Sequence, residues 1–263
     1  TMNCVRSLLL LLALAPPMLA APFTALKDGE RFRYRTSWGI FSNAGEVVIE
    51  ARKIDLEGKS VFRITTHIAS RGFVRGVYNF DDQGELLIEA ATGRVLSASD
   101  KGISGSKQLH SETNFDYERR VARHVDIARP ERNREFPIPD GDPVDLISAL
   151  IQTREWTLQV GERKPALVYF GRDLYPIVIT ADGRETLRTL QGKVSTLRLV
   201  PTMESKAPRG VFKRGGEIKV WVSETPSRQP VQMQLKLNFG TALLTLAEHT
   251  ITPSTNASTA AVP

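Results

Sequence analysis

Four histidines, His67, His110, His124 and His249, are the first candidates for proton transfer or metal binding in this chain. No two of them stand three or four residues apart, the spacing that would set two imidazoles on one helix face as ligands. His124 and Asp126 would share a face of a strand, but two ligands do not make a metal site. The stretch GISGS (102–106) places Ser104 between glycines. A nucleophile elbow needs the second glycine two positions after the serine, in a strand-turn-helix context, and neither is found. Asp81 and Asp82 could act as a carboxylate pair, yet neighbouring residues point to opposite sides, and DDQG reads as a solvated turn. Arg63, His67 and Glu50 could line a polar site, although alternation along a strand accounts for all three.

Other chemistries lack their residues. There is no phosphate-binding or dinucleotide fingerprint, so no cofactor is expected. Cys4 is the sole cysteine, which leaves the rest of the chain without thiolate zinc sites or disulfides. The formal net charge is +6, and no basic run interleaves with aromatics, so nucleic-acid binding is not expected. Such a surface suits either plain solvation or contact with anionic lipid headgroups.

The elements that must carry these residues are mostly strands. In RFRYRTSWG, Phe32, Tyr34, Thr36 and Trp38 share one face and Arg31, Arg33 and Arg35 the other. EVVIEARK and SVFRITTHIAS alternate in the same way. The turns are placed at Asn43–Gly45 and in LEGK, giving an antiparallel meander. Further strands follow in NFDDQGELLIEA, GRVLSASD and SKQLHSETNFDYERRVARHVDI, with turns expected at Asp82-Gln83-Gly84 and Tyr117-Glu118-Arg119. RGFVRGVYN is a short helix or a loop. DGDPVDLISALIQTREW changes period and predicts one amphipathic helix over about 143–155. Asp142 is its expected N-cap, with Pro143 at the first helical position and Val144, Ile147 and Ile151 on one face. Strands resume to Ile251, with a hairpin expected at Asp182-Gly183.

The N-terminal stretch has the pattern of a secretory signal peptide: Met2 as initiator, Arg6, an apolar run from Ser7 to Ala15, and Ala20–Ala21 for cleavage. The expected division is a signal peptide over 1–20, one mainly-β domain over 21–251 and a disordered tail over 252–263. Loss of Arg6 with the leader lowers the net charge to +5. Localisation follows: a periplasmic protein, exported through a cleaved signal peptide.

The order of YRTSWG, AGEVVIEAR, DPVDLISAL, GRETLRTLQGKVSTLRLVP and WVSETPSRQPVQMQLKLNFGTALLTL resembles domain of unknown function 3108, a family of exported bacterial proteins. The resemblance runs from about Phe23 to Ile251. It implies a fold and a compartment, and no catalytic residue or ligand. The family's acidic turn after the Trp strand is reduced here to Glu224 in ETPSRQP.

The fold class is therefore all-β and mainly antiparallel: a curled sheet, barrel or half-barrel with one helix. One helix cannot cover so much apolar strand surface, so the sheet must curl on itself or pack as a sandwich. Three functions remain open. The first is a non-catalytic envelope protein that binds a hydrophobic ligand or lipid, with Phe32, Tyr34, Trp38, Met233, Leu235 and Phe239 as candidate ligand-binding residues. The second is a scaffold with a filled core and an envelope protein partner. The third is a hydrolase whose site is assembled from distant residues.

Overall fold

The computed structural model describes residues 23–190, 192–204, 212, 216–237 and 240–252. The expected signal peptide, nearly all of the expected tail and Phe239 lie outside the described residues. Among the described residues the elements in chain order are β1 (Glu30–Trp38), β2 (Phe41–Leu56), β3 (Lys59–Ser70), α1 (Gly72–Val77), β4 (Phe80–Glu89), β5 (Val95–Ser104), β6 (Lys107–Asp116), β7 (Val121–Asp126), β8 (Arg134–Pro137), β9 (Val144–Asp145), α2 (Leu146–Gln152), β10 (Arg163–Phe170), β11 (Asp173–Thr189), β12 (Gly192–Thr202), β13 (Glu217–Ser223), β14 (Pro230–Leu237) and β15 (Gly240–Ile251).

The strands form one sheet in the order β8-β7-β6-β5-β4-β3-β2-β1-β15-β14-β13-β12-β11-β10-β9. Neighbours pair antiparallel, except that β9 runs parallel to β10. The first and last strands are therefore partners at the centre, and β8 and β9 are the edges. Those edges are not joined by backbone hydrogen bonds, yet side chains bridge the seam between them. Arg134 of β8 pairs with Asp173 of β11 at 3.0 Å. The Thr113 hydroxyl of β6 meets the Tyr169 hydroxyl of β10 at 2.6 Å, and Phe115 packs edge-on against Tyr169. The sheet is thus curled but unclosed.

Alternation produces the two faces as the sequence predicts. Phe32, Tyr34, Val47, Ile49, Phe62 and Ile64 are buried on the inner face. On the outer face Arg31 pairs with Glu50 at 2.8 Å and Arg33 with Glu248 at 2.9 Å. Each such exposed pair is worth less than about 1 kcal/mol. Together they hold β2, β1 and β15 in register, because a one-residue slip would set the arginines opposite apolar residues of the inner face.

Three expected turns lie elsewhere. The β1–β2 turn falls at Gly39–Ile40, where Gly39 has φ +55°, so Asn43 and Gly45 are inside β2. Asp82-Gln83-Gly84 is strand, with Asp82 opposite Ile68 and Gly84 opposite Thr66. Asp182-Gly183 is a bulge within the long β11 rather than a hairpin, with the register shifting between Ala181 and Gly183. In each case long cross-strand pairing on both sides overrides the local turn propensity. The turn between Asp116 and Val121 falls where the sequence places it, and RGFVRGVYN, open between helix and loop, contains the short helix α1.

The helix is shorter than 143–155 and starts later. Val144 and Asp145 pair with β10, α2 begins at Leu146, and Thr153–Glu155 tightens into a 3₁₀ turn. Its N-cap is Asp145, whose carboxylate accepts from the backbone N–H of Ile147 at 2.7 Å. Asp142, the expected cap, is instead engaged by Arg94 at 2.9 Å.

Candidate functional site

α2 lies inside the curl and is fixed at both ends. At its start the Asp145 carboxylate also accepts from Ser148 N–H at 3.3 Å, and the Ser148 hydroxyl donates to the Asp145 carbonyl at 2.9 Å. Burial raises the Asp145 carboxyl above its ordinary pKa, against the opposing pull of these backbone N–H groups. Beyond its last turn, Arg154 donates to Glu30 at 2.8 Å and to the Ala25 carbonyl at 2.7 Å. His249 meets the same Glu30 oxygen at 2.7 Å, and the Lys27 N–H donates to the other at 2.8 Å. Burial pushes the Glu30 carboxyl up, but the bonds from His249, Arg154 and Lys27 outweigh it, and its pKa lies below the ordinary value.

The helix borders two spaces. One is a narrow apolar slot of about 60 Å³ against the inner faces of β10–β14, where Leu146, Ala149 and Leu150 face Ile179, Leu199, Val220 and Met233. The other is a wider groove of about 590 Å³ over the inner faces of β3–β7, with Leu146 and Ile147 on its helix side. Leu146, Phe170 and Tyr175 line both, so the two spaces adjoin there. The groove falls in the size range of small-ligand sites.

Strand register orders the groove into rows. Ile64, Leu86, Ala98 and Thr113 are cross-strand partners in one row, leading to His124. The next is polar: Thr66, Gly84, Asp100, Ser111 and Asp126. The third joins Ile68, Asp82, Gly102 and Leu109. A mostly apolar groove is therefore crossed by a carboxylate-bearing row. Asp100 accepts from the Ser111 hydroxyl at 2.6 Å, and Asp126 pairs with Arg129 at 3.0 Å. Asp82 differs, since its Oδ1 is buried without a hydrogen-bond partner among the described residues. Burial, then the nearby charges of Asp100 and Asp81, push the Asp82 carboxyl up to about 6.

Among the described residues the ionisable groups are engaged in separate local contacts. His124 is buried and meets the Thr113 hydroxyl at 2.8 Å, and burial depresses its pKa, so it is neutral at pH 7. The Thr113 hydroxyl also meets Tyr169, making a Tyr-Thr-His chain that ties the seam of the sheet. His67 bonds Asp81 at 2.9 Å, and Arg75 holds the other oxygen of Asp81 at 3.0 Å. Glu50 and His67 border a separate polar concavity on the outer face, with Arg31, Lys101 and His110. Among the described residues no three His, Cys, Asp or Glu side chains are grouped to hold a metal ion.

Of the six residues proposed from the sequence for ligand binding, Met233 lines the slot. Phe32 and Tyr34 are completely enclosed: Arg154 lies over the Phe32 ring at 5.5 Å, and the Tyr34 hydroxyl donates to the Pro230 carbonyl at 2.9 Å. Trp38 and Leu235 are partly buried against the core. Phe239 is outside the described residues. The groove itself, with Ile68, Asp82, Asp100 and Ile147, is absent from the sequence reading. A signal for it exists in FDDQGELLIE. Taken as one strand, it places Phe80, Asp82, Gly84, Leu86 and Ile88 on one face, an acid in an otherwise apolar register.

Comparison with known proteins agrees with this architecture. A Brucella abortus beta-barrel-like protein of domain of unknown function DUF1849 superposes with a TM-score of 0.54 at 7% identity, covering 89% of this chain and 99% of that one. At that identity the likeness shows the fold alone. A Bacteroides fragilis protein with a YmcC-like fold (TM-score 0.32, 10% identity, 88% and 99% covered) and the Mycobacterium tuberculosis lipoprotein LppX (TM-score 0.24, 13% identity, 84% and 86% covered) are looser matches that support no argument. No curated protein matches the sequence. Residues 33–247 match the family described as Protein of unknown function (DUF3108), and the chain belongs to that family.

Proposed function

We propose that the protein is a non-catalytic binding protein of the bacterial envelope that holds an amphiphile inside its curled sheet. The observation that carries this reading is the pair of adjoining spaces on either side of α2. The slot suits an alkyl segment, because its lining is almost wholly side-chain hydrocarbon. The groove suits a bulkier portion with a polar group, because its apolar rows flank the row of Asp100, Ser111 and Asp126. Burying about 100 Å² of ligand hydrocarbon there would contribute roughly 2.5 kcal/mol before ordering costs. The signal-peptide pattern at residues 1–20 supports export, and with it a periplasmic location.

The test is a fluorescence titration with cis-parinaric acid on the wild type, Ile147→Trp and Met233→Trp. Ile147→Trp fills the groove from its helix side, and Met233→Trp fills the slot. The reading predicts saturable binding to the wild type that weakens at least about tenfold in each variant. Absence of saturable binding to the wild type, or equal binding by all three proteins, would overturn it.

A further inference from the structure

The end of the sheet where the β1–β2 turn and α1 lie carries an apolar patch that no part of the described core covers. Ile40, at the turn, is 93% exposed; Phe73 and Val77 of α1 are 68% and 72% exposed. Phe41 stacks on Phe73 with ring centroids 5.2 Å apart, joining the turn to the helix, and Tyr78 is also exposed. α1 contributes no buried residue. Apart from the stacking of Phe73 on Phe41, the exposed Phe73 and Val77 add nothing to the described core. A contiguous exposed patch of aromatic and aliphatic residues marks a contact surface.

The surroundings say what kind of surface it meets. Arg33, Arg35 and Arg71 line a concavity of about 390 Å³ beside the patch, together with Ser42, Asn43 and Glu46. Arg75 of α1 lines an adjoining concavity, which shares Asn43 and Arg71 with the first. Three carboxylates oppose these four guanidinium groups locally, and the first is Glu248, which Arg33 holds at 2.9 Å. Glu46 is bonded by Arg71 at 2.5 Å and Arg33 at 3.4 Å, and Asp81 pairs with Arg75 at 3.0 Å. Arg35 is exposed and makes no ion pair among the described residues. The surplus is positive, and guanidinium groups present donors in the geometry that phosphate oxygens accept.

We infer that this end of the protein docks on an anionic phospholipid bilayer. Ile40, Phe41, Phe73, Val77 and Tyr78 enter the interface, and the arginine-lined concavity receives lipid phosphate. Apolar side chains ringed by arginine are the composition of helices that lie in the headgroup layer, and basic residues beside them add attraction to anionic lipid. The patch also adjoins the groove. Ile68 near the end of β3 and Phe80 at the start of β4 line the groove, and α1 is the connection between those two strands. Docking by α1 would bring that end of the groove against the membrane. The inference stands whether or not the groove holds a ligand, since it rests on the patch and its arginines.

The experiment is vesicle co-sedimentation of the full chain with phosphatidylglycerol/phosphatidylethanolamine vesicles and with phosphatidylcholine vesicles. Every variant carries the same N-terminal stretch, so any contribution of that apolar run cancels in the comparison. Phe73→Ser with Val77→Ser, and separately Ile40→Ser, should each weaken partitioning to anionic vesicles at least about tenfold. Arg35→Glu should weaken it at low salt and lose its effect as ionic strength rises. Melting temperatures should stay at the wild-type value, because none of these side chains is in the core, and cis-parinaric acid titrations should be unchanged. Equal sedimentation with both vesicle types, or wild-type sedimentation by the variants, would overturn the inference. So would failure of the wild type to sediment, which would leave the patch to a protein partner. Release by inorganic phosphate at constant ionic strength would also overturn it, by assigning the arginines to a free anion.

Discussion

Arg154 Nη1 donates to Glu30 Oε1 at 2.8 Å across 124 residues of sequence, tying the end of the internal helix to the first strand. The Glu30 side chain is fully buried and that of Arg154 nearly so. Removing Arg154 strips the buried Glu30 carboxylate of its guanidinium and leaves it only His249 and the Lys27 N–H, so Arg154→Met should cost up to about 3–5 kcal/mol. Glu30→Gln combined with Arg154→Met should recover much of that loss. Urea denaturation of the three variants checks both statements.

The same pair predicts a pH dependence. The Glu30 carboxyl titrates below its ordinary value of 4.5, so the folded state favours the carboxylate. Its stabilisation is complete above pH 4.5 and is lost as pH falls through the lower folded-state value. Wild-type melting temperature should therefore fall more steeply below pH 4.5 than that of Glu30→Gln.

Asp82 should behave in the opposite sense. Its folded-state pKa is raised from 3.8 to about 6, so the folded state favours the protonated acid. Stability is highest below about pH 4, declines as pH rises toward 6, and stays reduced above it. Asp82→Asn should stabilise the protein at pH 7 by about 1 kcal/mol, a value discounted for solvent at the groove end. The gain should vanish at pH 4. A neutral amphiphile should also bind more tightly below pH 6, where the groove loses this charge. Calorimetric melting at the two pH values checks the first part, and titration with the methyl ester of cis-parinaric acid, which carries no ionisable group, checks the second across pH.

Two residues of α2 separate packing from binding. Ile151 is completely buried, so Ile151→Ala should cost about 2–5 kcal/mol. Ile147 is partly buried and lines the groove. Ile147→Ala should cost about 1 kcal/mol or less in stability and alter ligand affinity. Equal destabilisation by the two changes would contradict the placement of the helix.

Gly240, which opens β15, has φ +137°, and a Cβ there would lie 2.5 Å from Nε1 of Trp38. Gly240→Ala should cost at least about 1 kcal/mol through backbone strain and displacement of the indole, measurable as a lowered melting temperature.

Much of the architecture is legible in the sequence because period-two alternation is a tertiary signal: a strand such as RFRYRTSWG alternates only where one face is buried. The expected turns at Asn43–Gly45, Asp82–Gly84 and Asp182-Gly183 are strand for a physical reason. Glycine and acid residues mark turns when only local propensity acts, and here they sit inside strands held by pairing on both sides. The candidate site is obscured for the same reason. With DDQG taken as a turn, Asp82 is one more solvated acid; with it in strand, Asp82 faces the groove beside Ile68. The adjoining slot depends on where α2 sits across β10–β14, and nothing in the helix's own periodicity fixes that position. The exposure of Phe73 and Val77 is not legible in the sequence, because RGFVRGVYN is too short to show which face is covered.

The central claim is that the interior on either side of α2 holds an amphiphile. The most direct measurement is native mass spectrometry, with organic extraction, of the protein purified from the cells that make it. The account predicts a bound species of defined mass that is recovered as an amphiphile on extraction and is lost in Ile147→Trp. Wild-type protein that carries no bound species and takes up no cis-parinaric acid would contradict it.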